Sequence, residues 1–258
     1  MHTFIVNKLI EEFKDREAFS REELFNFFRS FEPDLKEGTL GWRIYDLKKK
    51  NILRTVRRGH YAISSKPVYK PMLSYDLLKL AKRISEQFKE ITYCIWETEW
   101  LNEFTVHQTG KKMIIIEIET DMVDSLFYDL KDHLKYDFFI DPNDKAIEYY
   151  IPESNKPVII KNLLTRAPIT SRTEKQKTIH LPLLEKILVD LFAERKLFYF
   201  YQGNELVNIY NSALNHYALN FTKIFHYAKR RDKAQEIKDF MLKNMPHLTK
   251  GFIANDKK

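Results

Sequence analysis

Nine lysines and arginines lie between Thr39 and Met72 against a single acid, Asp46, and this segment has the clearest chemistry in the chain. The window carries +8, more than the +7 of all 258 residues, whereas residues 1–38 carry six bases and nine acids. Positive charge gathered over a short segment is what neutralising a phosphate backbone requires. Inside the block, Arg57-Arg58-Gly59-His60 reads as a hairpin tip. The glycine supplies the positive φ of a tight reversal, and the arginines place two cations on the projecting end. The candidate DNA contacts are therefore Thr39, Trp42, Arg43, Lys49 and Lys50 on the helix ahead of the hairpin, and Arg57, Arg58 and His60 on the hairpin itself. Lys48 and Lys49 suit phosphates as well as bases, so no base specificity is assigned. Trp42 and Tyr61 also suit core packing, which for Tyr61 is the stronger reading.

A second constellation is acidic. Glu97 and Glu99 follow one strand, Glu117 and Glu119 lie in the next, and Asp121 and Asp124 come just after, a pattern that would allow Mg²⁺-assisted nuclease or nucleotidyl-transfer chemistry. The spacing argues against it. Glu117 and Glu119 share one strand face, with Ile116 and Ile118 on the other, so a solvated face explains them. A restriction-type nuclease would need a lysine two residues after the second acid, which IEIET lacks, and no Gly-Ser turn precedes paired acids as a nucleotidyltransferase requires. His107, His133, His180, His216, His226 and His247 show no i, i+4 pairing for a metal. Cys94, inside ITYCIW, reads as a buried, inert thiol. Glu185, Lys186 and Asp190 read as surface neighbours on a helix whose apolar stripe is Leu184, Leu188 and Leu191. Lys223, Lys229, Arg230, Arg231 and Lys233 gather toward a helix end, solvated by default and otherwise facing an acidic partner or a second stretch of DNA. No cofactor or metal is implied, and catalysis is not expected.

The elements that must position these groups follow from periodicity. Phe4, Ile5, Leu9, Ile10 and Phe13 recur at helical spacing. Ser20 and Glu23 form a capping-box signature for a second helix with Leu24, Phe27, Phe28 and Phe31 on its core face. After Pro33, Leu40, Ile44 and Leu47 define a third helix, with Arg43, Asp46, Lys49 and Lys50 toward solvent, and ILRTV and YAI flank the hairpin tip. Three helices and a hairpin in this order predict a winged helix-turn-helix over residues 1–66, its third helix in the major groove and its wing on a flanking phosphate or the minor groove. SKPVYKPM, with two prolines, marks a linker, and a second domain is expected over 73–258. There, Ser74 caps a helix, and ITYCIWET, KMIIIEIET, YDFFI, AIEYYI and PVIIKNLL read as strands around a helix over Met122 to Leu134. From Pro182 onward the pattern is helical. The fold class expected is α/β (α+β), a winged helix followed by a mixed-sheet domain with a helical C-terminal region.

Composition agrees with an ordered globular chain: 44% hydrophobic, 31% charged and six glycines. No apolar run is long enough to span a bilayer and the N-terminus lacks a secretory leader, so a cytoplasmic protein without membrane contact is expected.

The segments GTLGWRIYDLKKKNILRTVRRGHYAI (Gly38 to Ile63), IIIEIETDMVDSLFYDL (Ile114 to Leu130), TRAPI (Thr165 to Ile169), LPLLEKILVDL (Leu181 to Leu191) and HYAKRR (His226 to Arg231) together resemble the AbiEi family of type IV toxin-antitoxin antitoxins and abortive-infection regulators. That resemblance implies an N-terminal winged helix, binding of double-stranded DNA at the promoter of its own operon, and neutralisation of a nucleotidyltransferase-like toxin. The alternative from a different class is a Mg²⁺-dependent nuclease or nucleotidyltransferase that the N-terminal module targets to DNA.

Overall fold

The computed structural model describes residues 3–50, 52–64, 66–107, 112–174 and 177–253, so the polar tail NDKK lies outside the described residues. The N-terminal part runs α1 (Thr3–Phe13), β1 (Phe19–Ser20), α2 (Arg21–Phe31), α3 (Glu37–Lys49), β2 (Leu53–Arg57) and β3 (His60–Ile63). The capping box forms as its spacing predicts: Glu23 N donates to Ser20 Oγ at 3.1 Å and Ser20 N to Glu23 Oε2 at 2.7 Å. Two orphan amides of α2 are thereby satisfied. β1, absent from the sequence expectation, adds a short antiparallel edge to the hairpin and gives the order β1-β3-β2.

Alternation along the hairpin divides its side chains between two cores. Leu53 and Tyr61 pack with Leu9, Phe13, Phe28 and Leu40 under the three helices, while Val56 and Ala62 belong to the core of the following region. Phe4, expected inside, is exposed and meets Phe31 edge-on at the surface. The α1–α2 contact is filled by Leu9, Phe13 and Phe27 before it reaches that end.

Beyond the linker come α4 (Tyr75–Gln87), β4 (Tyr93–Glu97), β5 (Ile114–Ile118), α5 (Val123–His133), β6 (Asp137–Ile140), α6 (Ile151–Glu153), β7 (Pro157–Asn162), β8 (Ile169–Glu174), β9 (Lys177–Pro182) and α7 (Leu184–Ala193). Then follow α8 (Asn204–His216), α9 (Phe221–Arg230), α10 (Ala234–Asn244) and α11 (Pro246–Ile253). The sheet is mixed, in the order β4-β5-β7-β6: β4 is antiparallel to β5, and β7 lies parallel between β5 and β6. The fold is mixed α/β with a helical C-terminal region. Among the described residues no helix is long and apolar enough to cross a membrane.

Two expectations are corrected here. The run AIEYYI is not a strand: residues 146–150 form a π-helical turn leading into α6, with Ile147 and Ile151 buried and Tyr149 and Tyr150 exposed. Apolar positions four apart suit a helix, and this run carries that spacing. The LPLLEKILVDL segment also begins later than expected, because Leu181 and Pro182 finish β9 in a β8–β9 hairpin that the sequence does not announce.

The hairpin is sandwiched rather than free. Its outer face rests on the C-terminal helices, where Arg58 N donates to Thr222 Oγ1 at 3.0 Å and Arg54 reaches Leu219 O. The linker is fastened to the same side by Ala218 N to Pro67 O at 2.9 Å.

Candidate nucleic-acid interface

Helix α3 has one packed face and one open face. Leu40, Ile44 and Leu47 are buried, and opposite them Trp42 is 75% and Tyr45 59% exposed, their rings edge-to-face at 6.0 Å. Thr39, Lys48 and Lys49 are exposed beside them. Of the residues expected to contact DNA, Thr39, Trp42 and Lys49 thus share one open helix surface. Tyr45 was missed, although its position three residues after Trp42 and off the Leu40–Ile44–Leu47 stripe is the signal that places it there. Gly41, inside the helix, has nothing within 4 Å of where a Cβ would stand. Its small size answers no packing need of the fold.

The other cations of the block are less available than their number suggests. Arg43, expected toward solvent, is turned back: its guanidinium pairs with Glu32 and lies 5.0 Å from the Phe28 ring centroid. A long side chain at the edge of a packed face gains from covering an aromatic surface, and this one does so. Lys50 is exposed but paired with Asp46 at 2.8 Å. At the hairpin tip, Gly59 takes φ +72°, as the turn requires. Arg57 donates to His60 Nε2 at 2.7 Å, and His60 Nδ1 faces Arg58 O at 3.3 Å, which fits an imidazole carrying its proton on Nδ1. Arg57 and His60 therefore brace the tip. Arg58 keeps an exposed side chain while its amide is held by Thr222 at the start of α9. The exposed positions of α9 that follow are Lys223, His226, Lys229 and Arg230, and the helix contains no acid.

A very different assembly of charge lies beneath the mixed sheet. Glu117, read from the sequence as a solvated strand residue, is 2% exposed, and Lys186 and Asp190, read as surface neighbours, are 0% and 1% exposed. The reason is layering: β5 is an inner strand covered on both faces, and α7 is buried on all sides. Lys186 Nζ sits 2.5 Å from Glu117 Oε2 and 2.6 Å from Asp190 Oδ2. Tyr227 donates to Asp190 at 2.9 Å, and Arg231 approaches it at 3.5 Å. Lys161 lies 3.9 Å from Glu117, and both Lys161 and Arg231 pair with Glu194.

Burial pushes the Asp190 carboxyl up, but Lys186, Lys161 and Arg231 together hold it below the ordinary range. Burial likewise lowers the Lys186 ammonium, and the two carboxylates more than reverse this. Glu117 stays above the ordinary range, because burial outweighs the pull of Lys186. Three acids and three bases close on one another. Cys94 is buried nearby, its thiol pushed well up by burial. Among the described residues no group of three His, Cys, Asp or Glu is arranged to hold a metal ion. Glu119 is exposed and accepts from Thr92 N instead of joining Glu117.

The class defined so far is a mixed α/β protein with a small N-terminal helix-and-hairpin module locked onto its C-terminal helices. The chain belongs to a family of unknown function (DUF6577), whose model matches residues 39–247. The matched segment opens inside α3, at the residues that form its exposed face, and takes in the hairpin and the mixed-sheet region. No curated protein matches the chain.

Proposed function

We propose that this protein is a cytoplasmic DNA-binding transcriptional regulator, with residues 1–66 acting as a winged helix-turn-helix. In this reading α3 enters the major groove of double-stranded DNA and the hairpin tip meets a flanking phosphate. The observation that carries it is the open face of α3, where Trp42 and Tyr45 stand exposed, in contact with each other, beside Lys48 and Lys49. Gly41 adds support, since a helix-interior glycine costs about 0.5–1 kcal/mol relative to alanine and allows a backbone to approach closely. Arg58 and the acid-free face of α9 prolong the positive surface past the hairpin.

An antitoxin-like role, with repression of its own operon and a nucleotidyltransferase-like toxin as partner, rests on the sequence resemblance alone. The Mg²⁺-dependent enzyme alternative gains no support from Glu117, whose carboxylate is buried against Lys186.

Fluorescence anisotropy with labelled duplexes, including the DNA upstream of the gene, tests the proposal. Binding that weakens steeply with salt, and is lost in a Trp42→Ala/Lys49→Ala/Arg58→Ala variant of wild-type stability, is expected. Absence of binding even at low salt overturns it.

A further inference from the structure

A cleft of about 250 Å³ opens between the β2–β3 sheet and the C-terminal helices, several times the ~30 Å³ share of one water in the liquid. Arg54 from β2 and Lys66 from the linker line it, with Leu214, Leu219 and Phe221 opposite. Among the described residues both cations meet only main-chain carbonyls: Lys66 Nζ donates to Leu214 O at 2.7 Å and Arg54 Nη1 to Leu219 O at 3.5 Å. Arg54 Nε is buried without a hydrogen-bond partner among the described residues. Arg16, held by Glu23 at 3.0 Å, also lines the cleft, as do Lys14, Asp15 and Glu17. Burial draws both cations below their ordinary values, and Arg54 lowers Lys66 further against a weaker opposing pull from Glu17.

Two like charges drawn partly out of water into one cleft cost free energy unless an anion meets them. The cations of the buried cluster, Lys161, Lys186 and Arg231, each have a carboxylate partner. Arg54 and Lys66 have none among the described residues.

We propose that this cleft is a binding site for a small oxyanion, a phosphate group or a phosphorylated small molecule, held by the Arg54 guanidinium and the Lys66 ammonium. Charge-assisted hydrogen bonds from a guanidinium and an ammonium to a phosphate are the strong kind. Because its ligands come from the hairpin and the linker while its far wall is the C-terminal helices, the bound anion ties the two parts of the chain together. The site stands independently of DNA binding.

Isothermal titration with inorganic phosphate, and thermal unfolding with and without it at matched ionic strength, test the proposal. The proteins are wild type, Arg54→Gln, Lys66→Gln and, as an exposed control that does not line the cleft, Lys243→Gln. Saturable binding in wild type and control, weakened roughly tenfold or more in each cleft variant, is expected. Phosphate should raise the unfolding midpoint of wild type and control only, and without phosphate the cleft variants should match or exceed the wild-type midpoint. Should Arg54→Gln fail to fold, Lys66→Gln on the linker carries the same comparison. Absence of saturable binding, or equal stabilisation of all four proteins as an excluded anion produces, overturns the site.

Discussion

Lys49 and Lys186 are the same side chain in two helices of one molecule, and their surroundings give them opposite uses. Lys49 stands exposed on α3 beside Trp42 and Tyr45, whereas Lys186 lies fully buried on α7 between Glu117 and Asp190. The cause is the number of layers each element touches. α3 rests on one core and leaves a face open, while α7 is enclosed between the mixed sheet, α8 and α9. A charge on a one-sided element stays available to a partner. A charge on an enclosed element must find its counter-ion inside the fold.

The comparison breaks most visibly at Lys186. Replacing it with methionine leaves Glu117 and Asp190 buried without their shared cation, at an expected cost of about 3–5 kcal/mol in urea unfolding. A loss well below that would mean the network is hydrated and the contrast with α3 is false. Acid unfolding probes the same cluster with a smaller effect. Asp190 titrates below its ordinary 3.8 in the folded protein, so its stabilising contribution is complete above that value and disappears as pH falls through the folded-state value. The Asp190→Asn variant should lack this part of the acid limb. Lys186, raised in the fold, contributes fully below its ordinary 10.5 and loses that contribution only at more alkaline pH.

On the α3 side, Arg43→Ala removes the Glu32 pair and the contact with Phe28 and should cost about 1 kcal/mol. Lys49→Ala should change stability by less than about 0.5 kcal/mol yet lower the slope of log affinity against log salt by about 1. A large stability change there would show that α3 is not open. Smallest of all, Lys50→Ala breaks an exposed pair with Asp46 worth about 0.3–0.5 kcal/mol.

Local features were legible residue by residue. Ser20 with Glu23, Ser74 before α4, the Leu40–Ile44–Leu47 stripe and the glycine at the hairpin tip depend on neighbours a few positions away, and each forms as its spacing predicts. The candidate interface was legible in part. Trp42 and Lys49 emerged from the charge block, but the inward turn of Arg43 depends on Glu32 and Phe28, brought near by the α2–α3 packing. Glu117, Lys186 and Asp190 were misread for a related reason. Alternation and helical stripes distinguish two faces of an element, but they do not reveal that a second layer will cover the outer one.

The sequence by itself determined the capped starts of α2 and α4, the reversal at Gly59, which face of α3 packs, and that positive charge gathers between Thr39 and Met72. Only the tertiary structure decided which of those charges remain free, because pairing and burial depend on groups far apart in the chain. Arg54 meets Leu219, Arg58 meets Thr222 and Glu117 meets Lys186 only once the sheets and helices have packed.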